Sequence, residues 1–261
     1  MASFLMRAVV MAVCLISAVA GVAQGGDRLG FTLAPSFTKM RDDGALRDWI
    51  DYTAVTQGVG FGQIDKEFGG SVGATIFKNR SARAGIEIGL LFSSTTGRDA
   101  AGQECTATAG HVSVDVHYAV HLIRPPGPFV PYVGAGLGMD VPFFSLDGEG
   151  LDEANTPGSI MASERLGYGF LIAGVDAFVH PSFAFGLRVK YLKARPGTLR
   201  VTEAGDERLV GRELPDARSY AQHPDDPAQW KDLHFNREAI VIAVQFTFHQ
   251  RLLKGPGVSD D

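Results

Sequence analysis

Apolar and polar residues alternate along several separate stretches of this chain, and this pattern restricts the fold more than any other feature. The alternation is clearest from His111 to Leu122, where every second residue is valine, tyrosine or leucine and most of the others are polar. A period of two residues is typical of a β-strand with one apolar face and one polar face. The chain is therefore predicted to be all-β.

Eight stretches show this pattern, and the connections between them alternate in length. The predicted strands cover residues 28–40, 68–78, 82–96, 110–123, 128–142, 164–179, 182–195 and 236–250. The long connections are residues 41–67, 97–109, 143–163 and 196–235. The short ones, which contain turn-forming residues, are Asn79–Ser81, Pro125–Gly127 and His180–Pro181. In an antiparallel sheet, this order places every long connection at the same end.

Composition permits a large core and excludes several classes of protein. The chain has 261 residues, of which 45% are hydrophobic, and this share is too high for a disordered protein. Its 32 glycines do not follow the three-residue repeat of collagen. The formal net charge of -5 argues against nucleic acid as a partner.

The first residues have the three regions of a secretory signal peptide. Arg7 precedes an apolar run that ends at Ala20, and small residues follow as far as Ala23. The run is shorter than the roughly 20 apolar residues of a transmembrane helix. We therefore predict a signal peptide at residues 1–23, cleaved after Ala20 or Ala23, and export of the mature chain.

The mature chain is predicted to form one domain with a short extension. Residues 24–250 contain all eight strands, and residues 251–261 form a short periplasmic tail. Cys105 is the only cysteine left after cleavage, so it cannot form an internal disulfide. Because it falls in the second long connection, we predict a loop thiol.

Two kinds of barrel fit these strands: a transmembrane barrel with its apolar face outside, and a secreted lipocalin-like barrel with its apolar face inside. Strands of this length can cross a bilayer, which takes about 9–11 tilted residues, and closure pairs every backbone polar group, as lipid requires. The interior of an eight-stranded barrel has room only for side chains. The polar faces are rich in small residues that suit this interior, so we predict the transmembrane barrel and keep the soluble barrel as the alternative.

One strand carries a family signal. Residues 128–138 read PFVPYVGAGLG, which resembles the fifth-strand signature of the OmpA/OmpX-like porin-family proteins of the outer membrane. The resemblance implies an eight-stranded antiparallel up-and-down transmembrane β-barrel with short periplasmic turns and long extracellular loops. It also implies a monomer whose partners are outer-membrane lipid and the barrel-insertion machinery, with Phe246 and Phe248 as the insertion signal. The implied role is structural or surface-interacting.

Charged and polar side chains fall on the face predicted to line the lumen. They are Arg83, Glu87, Asp115, His117, His121, Asp176, Arg188 and Lys190. Buried charges must be paired or hydrated, so we predict a polar network that fills and rigidifies the barrel. A narrow pore lined by the same residues is the alternative.

Catalysis and cofactor binding have weaker support in the sequence. His111, Ser113 and Asp115 share one face of a strand, as a Ser–His–acid site of a lipid A-modifying barrel enzyme would require. No motif of those enzymes surrounds them, so we predict no catalytic residue. We also predict no metal site and no cofactor, because the acidic clusters are typical of solvated loops. These clusters are Asp147, Glu149, Asp152 and Glu153 in one connection and His223, Asp225 and Asp226 in another.

The longest connection is the best candidate for recognising a partner. Residues 196–235 contain Tyr220 and Trp230 among several charged residues. Mixed aromatic and polar surfaces are typical of binding loops. The sequence therefore predicts that an extracellular ligand, if there is one, binds through the long loops.

Overall fold

The alternating segments form long strands, and among the described residues two helices lie in the connections between them. The computed structural model describes residues 28–41, 45–62, 66–78, 81–99, 101–123, 128–148, 160–180, 182–195, 197–235 and 238–251. Its elements are β1 (Arg28–Arg41), α1 (Ala45–Gln57), β2 (Lys66–Lys78), β3 (Ala82–Arg98), β4 (Glu104–His121), β5 (Phe129–Gly148), β6 (Ile160–Ser163), β7 (Leu166–His180), β8 (Phe183–Ala194), β9 (Gly197–Thr198), β10 (Arg200–Ala204), α2 (Ala217–Gln222), a 3-10 turn (Pro227–Gln229), β11 (His234–Phe235) and β12 (Glu238–Arg251).

Eight of these strands close into an antiparallel barrel, which confirms the predicted fold. Strands β1 to β5 pair in chain order, β5 pairs with β7, β7 with β8, and β8 with β12. Strand β12 also pairs with β1, which removes the free edges. The short turns lie at one end, here called the inner end, and the long connections lie at the other, the outer end. Within the described residues, no helix is both long enough and apolar enough to cross a bilayer.

The apolar face of the wall points outward. Val116 is 53% exposed, whereas the adjacent Asp115 is 3% exposed. The same contrast separates the exposed Leu187 from the buried Arg188. Because a lipocalin-like barrel needs the opposite arrangement, the structure excludes the soluble alternative.

Several inward positions are glycine because a large side chain from the next strand occupies the space. A Cβ atom on Gly138 would collide with Asp115 and Tyr168, and one on Gly174 would collide with Tyr132. The small residues of the polar face therefore make room for the larger polar side chains of the lumen.

The prediction that residues 97–109 form the second long connection is wrong. Strands β3 and β4 pair as far as Arg98 and Glu104, so only residues 99–103 form the turn. Small residues and β-branched threonines continue the strands here without a strong apolar alternation. Cys105 is consequently a buried residue of β4 with 0% exposure, and the prediction of a loop thiol is wrong.

Part of the barrel wall continues beyond the outer end. Strand β5 pairs with β7 up to Asp140 and then with β6 from Phe143 to Leu146, so β6 prolongs β7. Strand β10 pairs with β6 and similarly prolongs β8. The predicted connections 143–163 and 196–235 therefore contain strand, and 41–67 contains α1 and the start of β2.

Some predicted features lie outside the described residues. They are the signal peptide at residues 1–23 and Glu149, Asp152, Glu153 and residues 252–261. Phe246 and Phe248 lie in β12, which extends to Arg251, so their role as an insertion signal stays a prediction.

Candidate functional site

All eight predicted lumen residues lie on the inner face of the barrel. Seven of them are buried, and the side chain of Lys190 is 13% exposed. Strand closure brings together residues that are far apart in the sequence. The Nη1 atom of Arg83 lies 2.8 Å from Oδ2 of Asp176. Arg188 pairs with Glu87.

A third ion pair joins Lys190 and Asp115, whose Nζ and Oδ2 atoms are 2.6 Å apart. The hydroxyl of Tyr168 donates a hydrogen bond to the same carboxylate. Asp115, on β4, therefore has two partners from β7 and β8, which do not pair with β4. This arrangement offsets the large cost of burying its charge.

Uncharged side chains hold the Arg83–Asp176 pair in place. The guanidinium carbon of Arg83 lies 3.4 Å from the ring centroid of Tyr132. The amide of Gln245 donates to Asp176 and accepts from the Tyr132 hydroxyl at 3.3 Å. Charges and hydrogen bonds thus connect at least four strands across this part of the lumen.

Glu67 is a lumen residue that the sequence analysis missed, because it was assigned to the first long connection. It is buried, and its Oε1 atom lies 3.3 Å from Nδ1 of His111. The alternation would have identified it, since Glu67, Ser71 and Thr75 occupy the same parity of β2.

His111 and Asp115, which were weighed as parts of a hydrolase site, contact other residues. His111 contacts Glu67, while Asp115 contacts Lys190 and Tyr168. His111 and Ser113 are both buried in the lumen. A small cavity of about 20 Å³ adjoins them, which is enough for about one water molecule.

Aromatic and histidine rings lie near the inner end of the lumen. The ring of His249 lies 4.7 Å from Phe77 and 5.4 Å from Phe178, measured between centroids. His121 lies 5.8 Å from Phe77. These rings contribute to the packing of the barrel interior at this end.

An apolar core fills the outer end. We call residues 45–62 and 199–233 the cap. Strand β10 within this range completes the prolonged wall, and the other cap residues pack against the inner face of that wall. The cap contributes Leu46, Trp49, Ile50, Val59, Leu199, Val201, Leu209, Leu214, Ala217, Tyr220 and Leu233. The wall contributes Cys105, Ala107, Ala109, Phe144, Leu146, Ile160, Ala162 and Leu166.

Trp49 joins the two parts of the cap. It is fully buried, and its Nε1 atom donates a hydrogen bond of 2.8 Å to the carbonyl of Pro215. Its ring lies 5.5 Å from Tyr220, which in turn lies 5.1 Å from Trp230. The predicted recognition aromatics Tyr220 and Trp230 therefore also stabilise the cap.

A polar cluster fixes the surface of the cap. Burial alone would raise the pKa of Asp206, but hydrogen bonds from Arg208 and Tyr220 outweigh it, so this pKa lies below its usual value. Burial and the neighbouring Asp206 raise the pKa of Tyr220. Asp206 is therefore a carboxylate and Tyr220 a neutral phenol at neutral pH.

The predicted cluster of His223, Asp225 and Asp226 makes structural contacts. Asp226 accepts a hydrogen bond from the backbone N–H of Ala228, and the carbonyl of His223 accepts one from Trp230. Asp225 lies 3.7 Å from Arg208. Over the part of the chain that is described, there is no group of three or more potential metal ligands within binding reach.

No protein-family model and no curated protein sequence matches this chain. Solved structures match its fold. The outer membrane protein OprG from Pseudomonas aeruginosa aligns with a TM-score of 0.50 and 12% identity, over 88% of this chain and 98% of OprG. A major outer membrane protein from Thermus thermophilus aligns with a TM-score of 0.47 and 9% identity, over 86% of this chain and 100% of that protein. Neisserial surface protein A aligns with a TM-score of 0.42 and 11% identity, over 86% of this chain and 97% of that protein. The likeness to OprG shows the fold of a small outer-membrane β-barrel.

Proposed function

We propose that this chain is a monomeric outer-membrane β-barrel that anchors a folded cap at the cell surface, with a structural or surface-interaction role. The continuous apolar core between the cap and the prolonged wall is the observation that carries this proposal. Flexible loops would not bury Trp49, Leu199 and Leu214 completely. The cap is therefore a rigid module that the barrel holds at its outer end.

The outer face of the wall supports a membrane position. Exposed apolar side chains occur on all eight barrel strands, from Phe31 on β1 to Phe248 on β12. Such a belt is favourable only against lipid, since a patch of this extent on a soluble monomer would cause aggregation. Export by the predicted signal peptide and insertion through Phe246 and Phe248 complete the proposed route.

The contents of the lumen argue against the pore alternative. Three ion pairs cross the barrel interior, and the small cavity beside them has a volume of only about 20 Å³. An eight-stranded barrel has little interior space beyond its own side chains. A solute would have to separate these pairs, and removing one partner leaves a costly buried charge.

The position of His111 argues against the lipid-modifying alternative. The residue is buried inside the barrel, while a lipid substrate would lie outside the wall. A catalytic base must come within hydrogen-bond reach of its substrate. We therefore propose that His111 and Glu67 contribute to the lumen network.

Site-specific proteolysis on intact cells tests the proposed orientation. One variant carries a tobacco etch virus protease site after Gly102, in the turn that joins β3 and β4 at the outer end. Its matched control carries the same site after Ser81, in the opposite turn. Gly102 has open space around it, so the insertion should not disturb the wall.

Added protease should cut the Gly102 variant on intact cells and cut the Ser81 variant only after the outer membrane is broken. The opposite result would overturn the proposed orientation, and recovery of the protein as a soluble species would overturn the membrane position.

Mass spectrometry of lipid A, with and without the protein, should show no change. A changed acyl pattern that His111→Ala abolishes would replace the structural role with catalysis.

A further inference from the structure

Exposed basic residues gather on one side of the barrel, immediately beyond the outer edge of the apolar belt. On β8 the exposed apolar residues end at Tyr191, and Lys193 and Arg195 follow at the next two outward positions. Arg165, just before β7, is also exposed. We call Arg165, Lys193 and Arg195 the outer basic patch.

The strand register places these three residues around a strip of glycine. Lys193 lies opposite Gly169 on β7, and continuing that register places Arg195 opposite Gly167. Residues two apart on a strand are about 7 Å apart, and adjacent strands are about 4.8 Å apart. One phosphate group could therefore contact two of these cations.

The same glycines form the floor of a shallow groove. A Cβ atom on Gly167 would meet open space, and one on Gly169 would only touch Leu137 at 4.0 Å. On the other side of the floor, Leu137 and Met139 of β5 pair with Gly169 and Gly167 and are exposed. The groove thus has an apolar wall on β5 and a cationic wall on β8.

The cations of this patch have no ion-pair partner among the described residues, unlike several cations of the cap. Arg47 lies 3.8 Å from Asp51, and Arg218 lies 3.5 Å from Asp48. Glu238, the carboxylate opposite Lys193 in the register, accepts a hydrogen bond of 2.9 Å from Tyr191. The three cations of the patch outnumber this facing carboxylate, so the patch presents a net positive charge beside exposed apolar surface.

We propose that this groove binds a phosphorylated lipid of the outer leaflet, with its phosphate on the outer basic patch and an acyl chain along Leu137 and Met139. A basic cluster at the membrane surface attracts anionic headgroups, and arginine suits phosphate oxygens through its planar fork. The site rests on the proposed outer-membrane position, since only there does the groove lie in the headgroup layer.

Native mass spectrometry of the folded protein in zwitterionic detergent tests this site, with purified lipid A and dephosphorylated lipid A as the two probes. The first variant combines Arg165→Gln, Lys193→Gln and Arg195→Gln. The second fills the floor with Gly167→Val and Gly169→Val and keeps every charge. The control combines Arg47→Gln, Arg218→Gln and Lys231→Gln, which removes two arginines and one lysine from the cap.

The wild type and the control should bind lipid A more tightly than its dephosphorylated form. The charge variant should weaken lipid A binding about a hundredfold at low salt, and the groove variant should weaken binding of both probes. Equal binding by the charge variant and the control, in preparations that still show heat-modifiable migration, would overturn the site and leave the proposed function intact. A wild-type barrel that cannot insert into phosphatidylcholine vesicles would overturn both.

Discussion

Arg188 and Glu87 face each other inside the barrel, where both side chains are buried. Arg188→Met would leave the Glu87 carboxylate without its main counter-charge. Breaking one partner of a buried pair costs about 3–5 kcal/mol. We expect the free energy of unfolding, measured by urea unfolding of the barrel from phospholipid vesicles, to fall by this amount.

The double variant Glu87→Gln with Arg188→Met separates the ion pair from simple packing. It removes both charges, so it should recover a large part of the stability that the single variant loses. A double variant as unstable as Arg188→Met would show that Arg188 acts through its packing and its contact with Ser71.

Two valines with the same exposure test which surface faces lipid. Val244, in the middle of β12, is 45% exposed, and Val210, in the cap, is 46% exposed. Arginine on the lipid-facing surface costs about 2–4 kcal/mol near the bilayer midplane, whereas arginine in water is nearly neutral. Val244→Arg should therefore reduce folding into vesicles, and Val210→Arg should not. Equal losses would mean that the β12 surface does not face lipid.

The sequence predicts the face of a residue but not its partner. Side chains alternate strictly along a strand, so the parity of Asp115 and Val116 could be read directly. The pairing of Arg83 with Asp176 joins residues 93 positions apart and depends on barrel closure and register. Alternation within single strands contains no such information.

At the level of elements, α1 and the last long connection stabilise each other through Trp49. Trp49→Ala removes the hydrogen bond to Pro215 and leaves a cavity, for which we expect a loss of about 3–5 kcal/mol in cap stability. Trypsin should then cut the cap quickly, while the barrel keeps its heat-modifiable migration. Val55→Ala on the exposed face of the same helix is the control and should leave cleavage slow. Loss of the folded barrel in Trp49→Ala would show that the cap and barrel fold as one unit.

Acid should loosen the cap through Asp206. Its pKa is lower in the folded cap than in the unfolded chain, so it stabilises the cap above its unfolded pKa of about 4. That contribution is lost as the pH falls through the folded pKa. At neutral pH, trypsin should therefore cut the cap of Asp206→Asn faster than the cap of the wild type. At low pH, where pepsin replaces trypsin, the two proteins should be cut at more similar rates. A difference that is the same at both pH values would exclude this carboxylate as the cause.

The sequence of the helix in the first long connection has a helical pattern, which an analysis based on strand alternation missed. Leu46, Trp49, Ile50 and Thr53 follow the spacing of one helical face, and all four are buried. Their partners in residues 199–233 lack a regular period, because they are spread over a short strand, a turn, a short helix and irregular segments. The cap as a packed unit could therefore not be derived from local patterns, although its helix could.

For the molecule as a whole, two barriers lie in series between the outer and inner ends: the apolar core of the cap and the ion pairs of the lumen. A conducting path requires the removal of both. We would therefore compare four proteins in planar bilayers. They are the wild type, a linker variant with residues 45–62 and 205–233 replaced by short Gly/Ser linkers, a lumen variant in which alanine replaces both members of each of the three ion pairs, and the combination of the two variants. Because the lumen variant removes both charges of every pair, it avoids an uncompensated buried charge. The first three should show no steady conductance, and only the combination should conduct. Steady current from the linker variant alone would mean that the lumen pairs do not seal the barrel, and current from the wild type would restore the narrow pore as the function.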